Sequence, residues 1–275
     1  MFRSNGSKFL PLLLATFVLE THGETPVPVQ LTPFLKGGLV LNAQVNGKFG
    51  TFLFDTGAGV TSITPQFAAA IDCKPWGQIS GFTITAQRLD MQRCDSVNLQ
   101  IAGFETRREI IGVFDVDQMM LSAAPKLDGT VALDVFVHRS VAFSYSAKTL
   151  RVSDIPKLPQ TVALPVHIVR DAEGLALSVN LPVTTSRGIA WFGIDSGNVS
   201  PFTLIAKPYA ELFTLDGSAK GPQKTELHLA DGLTFASDAR VMDLILDGNL
   251  GVTFLSNYDL AHGRAWLTAK ERQNP

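Results

Sequence analysis

The chain has 275 residues, a formal charge of −2, 45% apolar residues and 17% charged ones. These values fit a packed globular protein of one or two domains and argue against a disordered one. With no basic run for phosphate backbones, the composition speaks against nucleic-acid binding.

The first 23 residues read as an export signal: Arg3 and Lys8 precede an apolar run over 9–19, with small residues near Gly23. The run is short for a membrane span, so no stable membrane insertion is expected once it is removed. A buried helix or a retained anchor is the alternative reading. A secreted or periplasmic location follows from the export signal. Cys73 and Cys94 are the only cysteines; they form either one bridge in an oxidising compartment or two unpaired thiols. No His or further Cys stands at a spacing suited to zinc, and neither a metal nor another cofactor is expected.

Next comes an alternating strand over 38–45, a two-residue turn at Asn46-Gly47 where both positions tolerate positive φ, and a return strand over 49–54. That strand runs directly into Asp55-Thr56-Gly57. A helix is predicted over 65–71. Residues 79–86 read as a hairpin with Gly81 near its tip. Asp128-Gly129 then opens a closing segment that ends in strand-like stretches over 140–145 and 149–152. Residues 153–160, with Pro156 and Pro159, suit a linker.

The same order then repeats. A strand is predicted over 174–181, a longer turn over 184–188, and a strand over 189–194 that runs into Asp195-Ser196-Gly197. A short helix over 208–213, an Asp247-Gly248 turn and a closing strand near 264–267 follow. The expected organisation is a signal at 1–23, a first lobe at 24–152, a linker at 153–160 and a second lobe at 161–275. Asp55 and Asp128 are 73 positions apart, Asp195 and Asp247 only 52, a difference of 21. The extra residues fall in the middle of the first half. A flap over 78–91 is expected there, with Gly81 and Phe82 meeting substrate, and none in the second half. An ordinary core strand is the alternative for this segment.

An aspartate delivered by an apolar strand, followed by Thr or Ser and then Gly, is a common turn when it occurs once. Two of them at equivalent strand ends suggest a working pair. Carboxylates about 3 Å apart share one proton; the anionic member can take a proton from water while the protonated one donates to a carbonyl.

Residues 52–59, Phe-Leu-Phe-Asp-Thr-Gly-Ala-Gly, resemble the active-site loop of retropepsin-like and pepsin-like aspartic proteases. Residues 128–136 resemble the segment that bacterial members carry before their closing strands. In the second half, 193–197 and 248–251 match. The resemblance implies an all-β, bilobal fold with a cleft between similar lobes, in a single duplicated chain. It implies a monomer with internal pseudo-twofold symmetry that acts as an aspartic endopeptidase on polypeptides. Asp55 and Asp195 would then be catalytic, with Thr56, Gly57, Ser196 and Gly197 supporting the loops; the proton-sharing dyad is that family's own, established property. A degenerate module that binds extended peptides is the alternative function, and a homodimer using Asp55 alone is a third. Departures include Ala132 where the family has glycine, Asn198 after the second Gly, and a flap without tyrosine, whose nearest aromatics are Trp76 and Phe82. Asp128 and Asp247 are read as turn residues, Asp134 as non-catalytic and Trp191 as core.

Overall fold

The computed structural model describes residues 28–101, 103–119, 124–137, 139–152, 162–171, 174–229, 232–261 and 265–269. The expected signal (1–23) and linker (153–160) lie outside the described residues.

Three sheets make up the molecule. An eight-stranded sheet holds the first lobe, a seven-stranded sheet the second, and a six-stranded sheet takes strands from both. In that shared sheet Val141–Ser144 pairs antiparallel with Tyr258–Ala261, which stitches the lobes together by backbone hydrogen bonds. One continuous apolar core runs through all three sheets.

The first hairpin forms as its sequence dictates. Gly38–Val45 pairs with Lys48–Phe54 around Asn46 and Gly47, whose φ values are 48° and 80°. In the second lobe the matching strands are Leu177–Thr185 and Gly188–Ile194, joined by only Ser186 and Arg187. The expected strand start at 174 and the longer turn are corrected on both counts. The Asp171 carboxylate accepts from the amides of Leu175 (2.6 Å) and Ala176 (3.1 Å), so these residues form a capped loop instead of extending the strand.

Each return strand is anchored to its lobe by a phenylalanine pair. Phe52 meets Phe67 of the Pro65–Ala70 helix edge-on at 5.5 Å, and Phe192 meets Phe213 at the end of the Lys207–Phe213 3₁₀ helix at 5.6 Å. Both strands are thus fixed against their own lobe before they reach the interface. Trp191 is not core: it is half-buried and packs against the His167 ring.

The two lobes differ where the two halves of the sequence do. Arg88–Ile101 and Phe104–Val113 correspond to Gln223–Leu229 and Thr234–Met242, because each set pairs in the same way with its lobe's first hairpin and inner strand. Trp76–Phe82 has no such counterpart among the described residues; it pairs only with Arg88–Ile101.

Cys73 and Cys94 form a disulfide at the base of this added hairpin. It closes a loop with a sequence separation of 21. Replacing both cysteines by serine should lower stability by about 3 kcal/mol. Urea unfolding of the purified double variant checks this, and an unchanged midpoint would mean the bridge constrains nothing that matters to the fold.

Candidate active site

Asp55 and Asp195 leave their strands in the same way. Lys48–Phe54 lies parallel to Gly129–Val131, and the Asp55 amide continues that ladder to the Val131 carbonyl at 3.0 Å. Gly188–Ile194 lies parallel to Gly248–Leu250, and the Asp195 amide reaches the Leu250 carbonyl at 3.0 Å. The chain then turns back in each loop, and Gly57 and Gly197 donate their amides to the preceding carboxylate at 2.8 and 2.9 Å.

The two loops interlock across the lobes. Thr56 Oγ1 donates to the Ile194 carbonyl (2.9 Å) and accepts from the Ser196 amide (3.0 Å). Ser196 Oγ donates to the Phe54 carbonyl (2.8 Å) and accepts from the Thr56 amide (3.0 Å). Both side chains are buried. The result is that the carboxyls of Asp55 and Asp195 meet and hydrogen-bond to one another. The glycines are required by this approach: a β-carbon on Gly57 would overlap the Asp195 carboxyl, and one on Gly197 the Asp55 carboxyl.

Removal from water is the largest influence on Asp55, followed by the charge of Asp195. Together with the hydrogen bond to Asp195, these outweigh the amides of Gly57 and Gly197 and push Asp55 up to about 8. Some of Asp55 still meets solvent, so the dyad is crowded without being sealed. Asp195 is 9% exposed; its Oδ1 accepts from the amides of Gly197 (2.9 Å) and Asn198 (3.0 Å), and its Oδ2 from Asn249 Nδ2 (2.9 Å).

Asp128 and Asp247 are structural twins. Each carboxylate accepts one amide of its lobe's return strand, from Thr51 and Trp191 respectively, both at 2.8 Å. Asp134 is fully buried under the first loop, where its Oδ1 accepts from the Thr61 amide (3.0 Å) and hydroxyl (2.6 Å). Its Oδ2 lies 3.3 Å from Arg108 Nη2. Burial raises Asp134 despite these partners. Ala132 fits where glycine was expected and donates its amide to Thr61 Oγ1 at 3.0 Å. In the second lobe glycine is kept at the matching place, because a β-carbon on Gly251 would strike the Asn198 carbonyl.

The tip of the added hairpin meets the second lobe. Its turn is closed by the Thr83 and Ala86 amides, which donate to the Gln87 and Thr83 carbonyls at 2.8 and 3.0 Å. The tip is therefore at 84–86, and Gly81 lies back in the strand opposite Leu89. The Thr83 hydroxyl accepts the Gln87 amide and Ala86 takes a φ of 64°, so Thr83 and Ala86 shape the turn where Gly81 was expected to do so. Phe82 is exposed, and the Ile84 carbonyl accepts from the Ile245 amide of the second lobe at 2.9 Å. Sequence reading missed Asn249, Arg108 and Ile245, which act only through pairings between distant segments. Among the described residues no His, Cys, Asp or Glu cluster is suited to a metal.

Residues 41–125, which include Asp55, match a family model described as aspartyl protease. A search of curated proteins finds no match. Among solved structures, basic 7S globulin from soybean is similar over 89% of this chain and 95% of that chain, with a TM-score of 0.57 and 10% identity. At that identity the likeness concerns fold, and the protein has the all-β, two-lobed aspartic protease fold.

Two outcomes are expected from this geometry. Thr56→Val removes a donor and an acceptor, and leaves the Ile194 carbonyl and Ser196 amide buried without partners; a loss of about 2–4 kcal/mol should appear in chemical unfolding. Asp55 holds its proton in the folded state from its ordinary 3.8 up to about 8, where the unfolded chain releases it. Its contribution to stability is present below about 3.8 and is lost as pH rises through about 8. Asp55→Asn should flatten that slope in Tm measured against pH; an unaltered slope would show that Asp55 is not the proton carrier.

Proposed function

We propose that this protein is an aspartic endopeptidase, with one dyad assembled within a single chain. The observation that carries the reading is the meeting of the Asp55 and Asp195 carboxyls between the lobes, so close that a β-carbon on Gly57 or Gly197 would overlap the opposite carboxyl. The aspartyl protease match over residues 41–125 supports protease-type chemistry independently of that geometry.

In this mechanism Asp195 acts as the base. It takes a proton from a water held between the carboxyls, and the hydroxide forms a bond to the carbonyl carbon of the scissile peptide. Asp55 gives its proton to the carbonyl oxygen, so a neutral tetrahedral diol results without metal or covalent intermediate. Collapse breaks the C–N bond; Asp195 returns its proton to the departing nitrogen, and Asp55 recovers one from the diol. The interlocked loops keep both carboxyls in place for each transfer.

The hairpin over 78–91 is the cover, and an extended polypeptide beneath it is the substrate class. The Ile84–Ile245 hydrogen bond must open for a chain to enter. Phe82 offers apolar surface for a bound side chain to cover. The disulfide pins the hairpin's base while leaving its tip free to move. The disulfide is also compatible with a secreted or periplasmic location, which we propose together with a monomeric state and lobes at 24–152 and 161–275.

Hydrolysis of denatured protein substrates should be abolished by either Asp55→Asn or Asp195→Asn, with the fold retained by circular dichroism. Activity should fall as pH rises through about 8, where Asp55 loses its proton. Retained turnover in Asp195→Asn would overturn the single-chain dyad, and peptide binding without cleavage by the unaltered protein would identify a binding module instead. Hydrogen exchange on the free protein and on a pepstatin complex reads the cover. Amides near 84–86 should gain protection on binding; the same strong protection in both states would place the hairpin in the rigid framework.

A further inference from the structure

We infer that Asn249, oriented by Asn198, is a positioning residue that decides which member of the aspartate pair is the anion, fixing Asp195 as the base. The inference rests on the endopeptidase reading and deepens it.

Asn249 lies on Gly248–Leu250 and is 1% exposed. Its Nδ2 donates to Asp195 Oδ2 at 2.9 Å, and its Oδ1 accepts from Asn198 Nδ2 at 2.7 Å. The Oδ1 of Asn198 in turn accepts from the Ser200 amide at 3.1 Å. A backbone amide can only donate, so this start sets the sense of the whole chain. Asn198 must receive at oxygen and give at nitrogen, and Asn249 must do the same. The group presented to Asp195 is therefore a donor by construction. With the amides of Gly197 and Asn198 on Oδ1, both oxygens of Asp195 receive N–H groups. That arrangement is complementary to a carboxylate and gives charge-assisted bonds.

The first lobe is built differently at the same two places. Thr130 stands beside Leu53 as Asn249 stands beside Gly193, and Ala58 occupies the place of Asn198. A threonine and an alanine cannot form the amide relay. The charged group that faces Asp195 from the first loop is Asp55; its own lobe turns neutral amides toward it from the Gly248–Leu250 strand and from residues 197–198. Two nearly equivalent aspartates thus receive unequal duties from their neighbours.

The test uses Asn249→Leu and Asn198→Ala in the full chain, with two readouts. The first is the pH profile of kcat/KM. In Asn249→Leu its acid limb should move up by about one to two pH units, with kcat lowered and KM little changed, because one bond to the anion is gone. Asn198→Ala leaves the donor present but unoriented, and should shift the limb the same way by less. The second readout is ¹³C NMR titration of aspartate carboxyl carbons, which needs no turnover. There the lower of the pair's two titration steps should move up in the same variants. If Asn249→Leu does not fold, Asn198→Ala carries the test. Folded variants with an unmoved acid limb and unmoved carboxyl titrations would overturn the inference. An unaltered protein without hydrolysis would refute the endopeptidase reading instead, and the NMR titration would still judge the role of Asn249.

Discussion

Two buried hydroxyls carry the architecture. Thr56 and Ser196 each donate to the carbonyl at the end of the other lobe's strand and accept the amide that follows it. Four hydrogen bonds across a local twofold fix the separation of the two strand ends. At that separation the carboxyls of Asp55 and Asp195 cannot avoid one another, and the positions after Thr56 and Ser196 must be glycine. Burial and mutual repulsion then keep a proton on Asp55. Stability and chemistry depend on the same contact: loosening the lobes would relieve the repulsion and disperse the site in one step.

Around this symmetric centre the two lobes solve the same problem with different residues. The first braces its loop from below, through Thr61, the buried Asp134 and Arg108, whose guanidinium also approaches the Leu175 carbonyl of the second lobe at 3.5 Å. The second braces its loop from the side, through Asn198 and Asn249. The first adds Trp76–Phe82, and the second contributes the Ile245 amide that meets the tip of that hairpin. The buried ion pair and the added hairpin thus lie on one side, and the amide relay on the other.

Much of this was legible because the determinants are local. Asn46-Gly47 specifies a tight hairpin by the φ values it permits, and two Asp-Thr/Ser-Gly tripeptides at the ends of apolar strands announce a paired site. The 21-residue difference between the halves located the extra hairpin. What escaped depends on register between distant segments. Nothing near Asn249 in the chain says that it lies beside Gly193 with its amide against Asp195. Gly81 was an attractive tip by composition, yet the turn belongs to Thr83 and Ala86, where a side-chain acceptor outweighs backbone freedom. The strand expected at 174 begins at Leu177 because one carboxylate, Asp171, captures two amides.

The central claim is that Asp55 and Asp195 form one proton-sharing pair with the proton on Asp55. Neutron diffraction from a deuterated crystal grown near pH 6 sees that proton directly. The account requires a single deuteron between the carboxyls, bonded to Asp55, with both oxygens of Asp195 bare and facing N–D groups. Deuterons on both carboxyls, on neither, or on Asp195 alone would contradict it.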